Sequence, residues 1–148
     1  MANSKFVYVT YIRTTPEKLW DALTKPEFTR EYWFGVWQDC SWEKGARWQL
    51  KRSDGSIVDA GEVVEIDRPR RLVLSWRNEF RPELKAEGAS RATIELEPTG
   101  ESVRLTITHE MERDGSKLIE AVSEGWPRVL SGLKSLLETG KAMPDIRS

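Results

Sequence analysis

The chain holds one histidine, His109, and one cysteine, Cys40, the two side-chain types that most often supply a nucleophile, a proton shuttle or a metal ligand near neutral pH. They stand 69 positions apart, in a sequence with no HxxxH or CxxC pair. A zinc-type site needs three or four ligands at fixed spacing, so no metal is expected. Cys40 lies in an aromatic stretch and reads as a small inert hydrophobe rather than a nucleophile. His109 is in phase with Ile107 and Met111 on the apolar side of a strand. It reads either as a hydrogen-bonded core residue or as a polar anchor inside a cavity, where a few polar groups fix a ligand's orientation. Acid–base catalysis by paired carboxylates needs two acids pointing inward. Glu62 and Glu110 are the acids most closely flanked by apolar strand residues, and alternation turns Glu110 away from the His109 side. Glycines are scattered through turns instead of forming a phosphate loop. No catalytic residue and no cofactor is assigned.

Tryptophan is the unusual component. Seven occur, and four of them fall between positions 33 and 48. Each brings a large apolar body with one N–H donor. Single tryptophans fill cores, but this clustering points to a cavity wall or a binding surface.

The rest of the composition narrows the partners. With 23 basic and 24 acidic residues interspersed, no basic stripe exists to track phosphates, so nucleic acid is not an expected partner. The first residues lack the basic and apolar regions of a secretory signal. No apolar stretch approaches the ~18 residues of a membrane span. A single cysteine excludes an internal disulfide and suits a reducing compartment. These features predict a cytoplasmic protein.

Residues 1–148 read as one domain without repeats or linkers. Residues 5–13 (KFVYVTYIR) predict a strand, apolar on both faces and therefore covered on both. Thr14-Thr15-Pro16-Glu17 supplies a cap, a first-turn proline and an acid near the positive helix end. Lys25-Pro26-Glu27 opens a second short helix. From Arg47 the apolar period becomes two, and a run of strands follows. Asp54-Gly55 predicts a two-residue hairpin with positive φ at both positions. Gly61 marks a bulge or close approach. Residues 79–87 form a charged loop, read as solvated, with a flap over a cavity mouth as the other reading. From Leu118 to Leu137 apolar residues recur at three- and four-residue steps, predicting a long helix interrupted at Gly125–Pro127. One helix cannot cover six or seven flat strands, so the sheet must curl around it and leave space inside. The fold class is α+β: a curved antiparallel sheet around a long C-terminal helix, with two short helices after the first strand.

Several segments carry a resemblance. They are residues 15–24 (TPEKLWDALT), Tyr32-Trp33, residues 43–48 (EKGARW), 61–67 (GEVVEID), 70–76 (RRLVLSW) and 125–138 (GWPRVLSGLKSLLE). In this order they resemble the activator of heat-shock protein 90 ATPase homologue (AHSA-like) family, within the START-like (SRPBCC, Bet v-like) helix-grip superfamily. The resemblance implies the helix-grip fold with an internal apolar cavity. Together with inward phase it assigns Tyr11, Trp33, Trp37, Trp48, Trp76, His109 and Trp126 as ligand-binding residues. The leading expectation is non-enzymatic binding of a small apolar or amphipathic ligand, a lipid or aromatic metabolite. The first alternative is a stress-response interaction module for a heat-shock-90-type chaperone, and the second a cyclase- or hydrolase-like enzyme. A monomer and a homodimer are both compatible with the sequence.

Overall fold

A computed structural model describes residues 3–144. The elements follow one another as β1 (Ser4–Ile12), α1 (Pro16–Thr24), α2 (Pro26–Tyr32), β2 (Trp37–Asp39), β3 (Arg47–Lys51), β4 (Ile57–Asp67), β5 (Arg71–Asn78), α3 (Pro82–Lys85), β6 (Ser90–Thr99), β7 (Ser102–Met111) and α4 (Lys117–Thr139). All strand pairs are antiparallel in the spatial order β1-β7-β6-β5-β4-β3-β2. Strands β2 to β7 form a meander, and β1 closes its far side by pairing with β7. The sheet curves about α4, giving the helix-grip arrangement expected from the sequence.

Local chemistry explains the boundaries. The Thr15 hydroxyl accepts from Lys18 N–H, and Pro16 occupies the first turn of α1, where its missing N–H costs nothing. Leu19, Trp20 and Leu23 of that helix are buried. Ser116 caps α4 through Ile119 N–H, and Gly140 ends it in the left-handed region at φ 86°. Gly61 permits contact between β4 and β5, since a Cβ there would lie 1.9 Å from the Ser75 carbonyl oxygen.

Four expectations are corrected. The helix does not break at Gly125–Pro127; α4 runs continuously from Lys117 to Thr139 with Pro127 inside. Proline removes the one hydrogen bond to the Ser123 carbonyl, at a cost of about 3 kcal/mol. Trp126, Val129, Leu130 and Leu133 are all buried around it, and burial of side chains this size, roughly 1.5–3 kcal/mol each, outweighs that cost. Strand β1 is covered on one face only: its inward residues alternate with Val7, Val9 and Tyr11, which are 51%, 39% and 50% exposed. The hairpin between β3 and β4 has positive φ at Gly55 (88°) but not at Asp54. Arg52 N–H reaches Ser56 O and Gly55 N–H reaches Arg52 O, a three-residue loop whose last position is the left-handed glycine. Finally, residues 79–87 are not a free loop. Leu84 of α3 is buried, and Glu87 accepts from the Ser116 hydroxyl and from Lys117 N–H, at 2.6 and 2.9 Å, at the start of α4.

Candidate functional site

A pocket of about 240 Å³ opens between the inner faces of β4 and β5, the turn after α2, the α3 segment and the first half of α4. Its walls are apolar because each element turns its hydrophobic phase toward it: Val58 from β4, Trp76 from β5, and Val122, Trp126 and Val129 from α4. Trp33 and Phe34 close one side, and Phe80, Arg81 and Leu84 form the rim. The segment read from sequence as a loop or flap therefore borders the opening. Three indoles meet at the pocket. Trp33 lies 6.4 Å from Trp76 and 5.5 Å from Trp126, centroid to centroid, and Trp76 lies 5.6 Å from Trp126. Stacked and tilted ring pairs at such distances are favourable beyond their buried area.

Behind Trp76 and Trp126 sits His109, fully buried on β7. The Trp126 indole can only donate, and its Nε1–H points to His109 Nδ1 at 3.1 Å. The ring proton is thereby assigned to Nε2, which donates to Ser90 Oγ at 2.8 Å. Ser90 in turn donates to the Trp76 carbonyl at 2.7 Å. Every polar atom in this relay is satisfied. Burial pushes the His109 pKa down to about 3, so the ring is neutral. With both nitrogens engaged in protein contacts, His109 orients the Trp126 wall rather than facing the pocket.

At the sheet side of the pocket the situation is reversed. Asp59 of β4 pairs across the ladder with Asn78 of β5 and is buried. Asn78 Nδ2 donates to Asp59 Oδ1 at 3.3 Å, while Asn78 Oδ1 accepts from the backbone N–H groups of Phe80 and Arg81 and so holds the rim. The Trp76 indole N–H leans on the Asp59 carboxyl without a well-formed hydrogen bond, and its Nε1 is closed off from solvent. Burial drives the Asp59 pKa up to about 7, against the pull of Trp76 and Asn78.

The other sequence-assigned residues are dispersed. Trp48 is fully buried, packs at a tilt 4.5 Å from Trp76 and donates to Gln38 Oε1 at 2.9 Å, so it supports the wall from behind. Trp37 is half-buried on the β2 edge, with the Arg30 guanidinium 5.1 Å and the Lys51 ammonium 5.6 Å from its ring centre. Tyr11 is half exposed on the outer side of β1, so its expected inward placement is corrected. Trp33, Trp76 and Trp126 converge on the pocket; Tyr11, Trp37, Trp48 and His109 do not line it. Asp59, Asn78 and Phe80 were missed by sequence reasoning. Cys40 is half-buried, its sulfur accepts from Trp42 N–H, and burial pushes its thiol pKa up, the opposite of activation. Among the described residues no three His, Cys, Asp or Glu side chains converge as a metal site requires. No helix among them is long and apolar enough to cross a membrane.

Fold and pocket together define a helix-grip protein with a small Trp-lined cavity. The chain belongs to the Activator of Hsp90 ATPase homolog 1-like protein family, whose match spans residues 13–138. Among solved structures it is similar to a protein of Mesorhizobium loti, with 26% identity and a TM-score of 0.76 over 91% of this chain and 97% of that one. It shares the fold of an Hsp90 activator from Plasmodium falciparum, at 20% identity and TM-score 0.73, covering 90% of this chain and 95% of the other. It likewise shares the fold of the Aha1 dimer from Colwellia psychrerythraea, at 18% identity and TM-score 0.74, covering 94% and 99%. No curated protein matches the chain.

Proposed function

We propose that this protein binds a small apolar or amphipathic molecule in the pocket, in the cytoplasm and without transforming it. One observation carries this reading: an apolar pocket stays open inside the fold where three indoles, Trp33, Trp76 and Trp126, converge. Interiors are close-packed, so an apolar space left open inside the fold is the kind a ligand completes. A volume of about 240 Å³ is just below the ~300–1,000 Å³ typical of drug-sized ligands. It suits a molecule of one or two rings, or a short chain. Asp59 is the one carboxylate among the lining residues, and His109 is spent in its relay. Acid–base turnover lacks a second group, which favours binding over catalysis. The test is native mass spectrometry of freshly purified protein, which is expected to reveal a co-purifying small molecule that an apolar dye displaces. A protein that arrives empty and ignores such dyes while fully folded would sink the reading.

Family membership supports a second reading, assistance to a heat-shock-90-type chaperone as a monomer or homodimer. It predicts stimulation of such a chaperone's ATPase by the added protein. Absence of both stimulation and co-sedimentation removes it.

A further inference from the structure

We infer that the pocket takes an organic cation, a small amine whose protonated nitrogen rests against the Asp59 carboxylate while its apolar body lies among Trp33, Trp76 and Trp126. This inference rests on the ligand-binding reading above and specifies its chemistry.

The lining holds an acid without a counter-charge. Asp59 is the one acid among the lining residues and is only 6% exposed. A buried carboxylate is stable when a cation faces it, and otherwise keeps its proton. Among the described residues no ion pair includes Asp59. The cations around the mouth are engaged elsewhere. Arg77 and Lys85 pair with Glu79, Arg81 pairs with Glu83, and the Arg52 guanidinium lies over the Phe80 ring, 4.7 Å from its centre. His109 is neutral, with both ring nitrogens bonded. The direct partners of Asp59 are neutral donors: the Asn78 amide, which reaches Oδ1 at 3.3 Å, and the Trp76 N–H that leans on the carboxyl. They hold the group in place and leave its charge uncompensated. They also leave lone pairs free, since a carboxylate has about four acceptor sites, and Oδ2 is not sealed off within the protein. Through space Arg52 favours the charged form and Glu79 opposes it, while desolvation outweighs both.

The walls suit the same ligand. Aromatic rings carry negative faces that attract cations, and Trp33, Phe34, Trp76, Phe80 and Trp126 gather around this one carboxylate. A ligand carboxylate would set charge against charge at Asp59. A hydrocarbon would fill the volume and leave the acid without a counter-charge. An alcohol would gain a hydrogen bond with roughly half the strength of one between ionised partners. A protonated amine on an apolar body answers the carboxylate and the rings together.

Three probes with one naphthyl body test this: 2-naphthylmethylamine, 2-naphthylmethanol and 2-naphthoate, titrated calorimetrically in mildly alkaline buffer, where Asp59 is charged and the amine is protonated. The amine is expected to bind about tenfold or more tighter than the alcohol, as one charge-assisted pair in the pocket would give, and naphthoate weakest of all. Asp59→Asn keeps the shape and removes the charge, and should cost the amine its whole advantage over the alcohol. If that variant folds poorly, the parent supplies the test. In buffer roughly one unit below the Asp59 pKa of about 7, the acid is mostly protonated and the advantage should shrink severalfold. Glu79, held below the usual carboxylate range, and His109, held near 3, do not titrate there. Equal affinity for amine and alcohol would overturn the cation seat and leave the pocket reading intact. Tight binding of naphthoate would do the same, because its acid would then face Arg81 at the rim. An amine advantage that survives Asp59→Asn, or that ignores the change of pH, would also overturn the seat. If none of the three binds, the pocket reading falls and the seat with it.

Discussion

Two indoles pack against each other in the pocket wall, 5.6 Å between centroids, and their N–H groups meet different fates. On the β6–β7 side, Trp126 donates to His109, His109 to Ser90, and Ser90 to a backbone carbonyl. On the β4–β5 side, the Trp76 N–H only leans on the Asp59 carboxyl, and Asp59 takes a long hydrogen bond from Asn78. A closed polar network makes a core rigid and specific, whereas a half-closed one is costly unless something completes it. The contrast separates the histidine, whose residue type promises chemistry but which serves architecture, from an aspartate that alternation alone did not single out. Residue type is a weaker guide to function than the state of a residue's hydrogen bonds.

The largest test of this contrast is His109→Ala. It leaves a cavity, orphans the Trp126 N–H and takes one of two hydrogen bonds from the Ser90 hydroxyl, so a loss of roughly 3–5 kcal/mol is expected in chemical denaturation. A loss under about 1 kcal/mol would show that the relay is not structural.

Asp59→Asn comes next and should act with the opposite sign. Between about pH 7 and pH 3.8 the folded protein holds a proton on Asp59 that the unfolded chain has released, so acidification through this window stabilises the fold. His109 opposes it. Between about pH 6.5 and pH 3 the unfolded chain takes up a proton that the buried ring refuses, so acidification costs stability. Of the charged neighbours of Asp59, Glu79 is held below the usual carboxylate range by its hydrogen bond from Arg77 and stays ionised through most of this window. Asp59→Asn should therefore be more stable than the parent at mildly alkaline pH, on the order of 2–4 kcal/mol. The advantage should fade as pH drops toward 4, leaving the His109 loss uncompensated. Parallel thermal melts across pH decide it, and a pH-independent difference would contradict the assignment.

The same conservative change at the two indoles isolates the hydrogen bond. Trp126→Phe and Trp76→Phe remove similar volume, but only the first breaks a well-formed hydrogen bond inside the protein. Trp126→Phe should cost about 1–2 kcal/mol more than Trp76→Phe. Equal losses would erase the distinction between the two sides. The smallest effect is expected at Tyr11→Ser, on the outer face of β1, within about 0.5 kcal/mol and without change in dye binding.

The fold was legible because its signals are local and redundant. The Thr15-Pro16 cap, the change of period at Arg47 and the stripe from Leu118 to Leu137 each specify an element without reference to the others. The pocket walls at Trp76 and Trp126 followed from phase within those elements. Asp59 did not, because β4 carries two phases. Val58, Val64 and Ile66 share one alternation and Asp59 and Val63 the other, and a register shift between Val63 and Glu65 lets the strand change which set faces inward. Tyr11 failed for a different reason. Residues 6–12 are, apart from Thr10, apolar or aromatic on both sides, so alternation cannot say which side the core claims. The partner of an indole N–H is a tertiary fact that no period encodes.

Glu87 links the rim to the scaffold. Its carboxylate accepts from the Ser116 hydroxyl and from the backbone N–H groups of Lys117 and Leu118, so the chain leaving α3 is fastened to the first turn of α4. A four-residue helix has little stability of its own, and this fastening couples its excursions to the fraying of a much longer element. Widening the mouth by lifting Phe80 and Leu84 would then strip protection from two amides at the far end of the segment. The hydrogen-exchange rates of Lys117 and Leu118 become a clock for how often the chamber opens, readable with no ligand present.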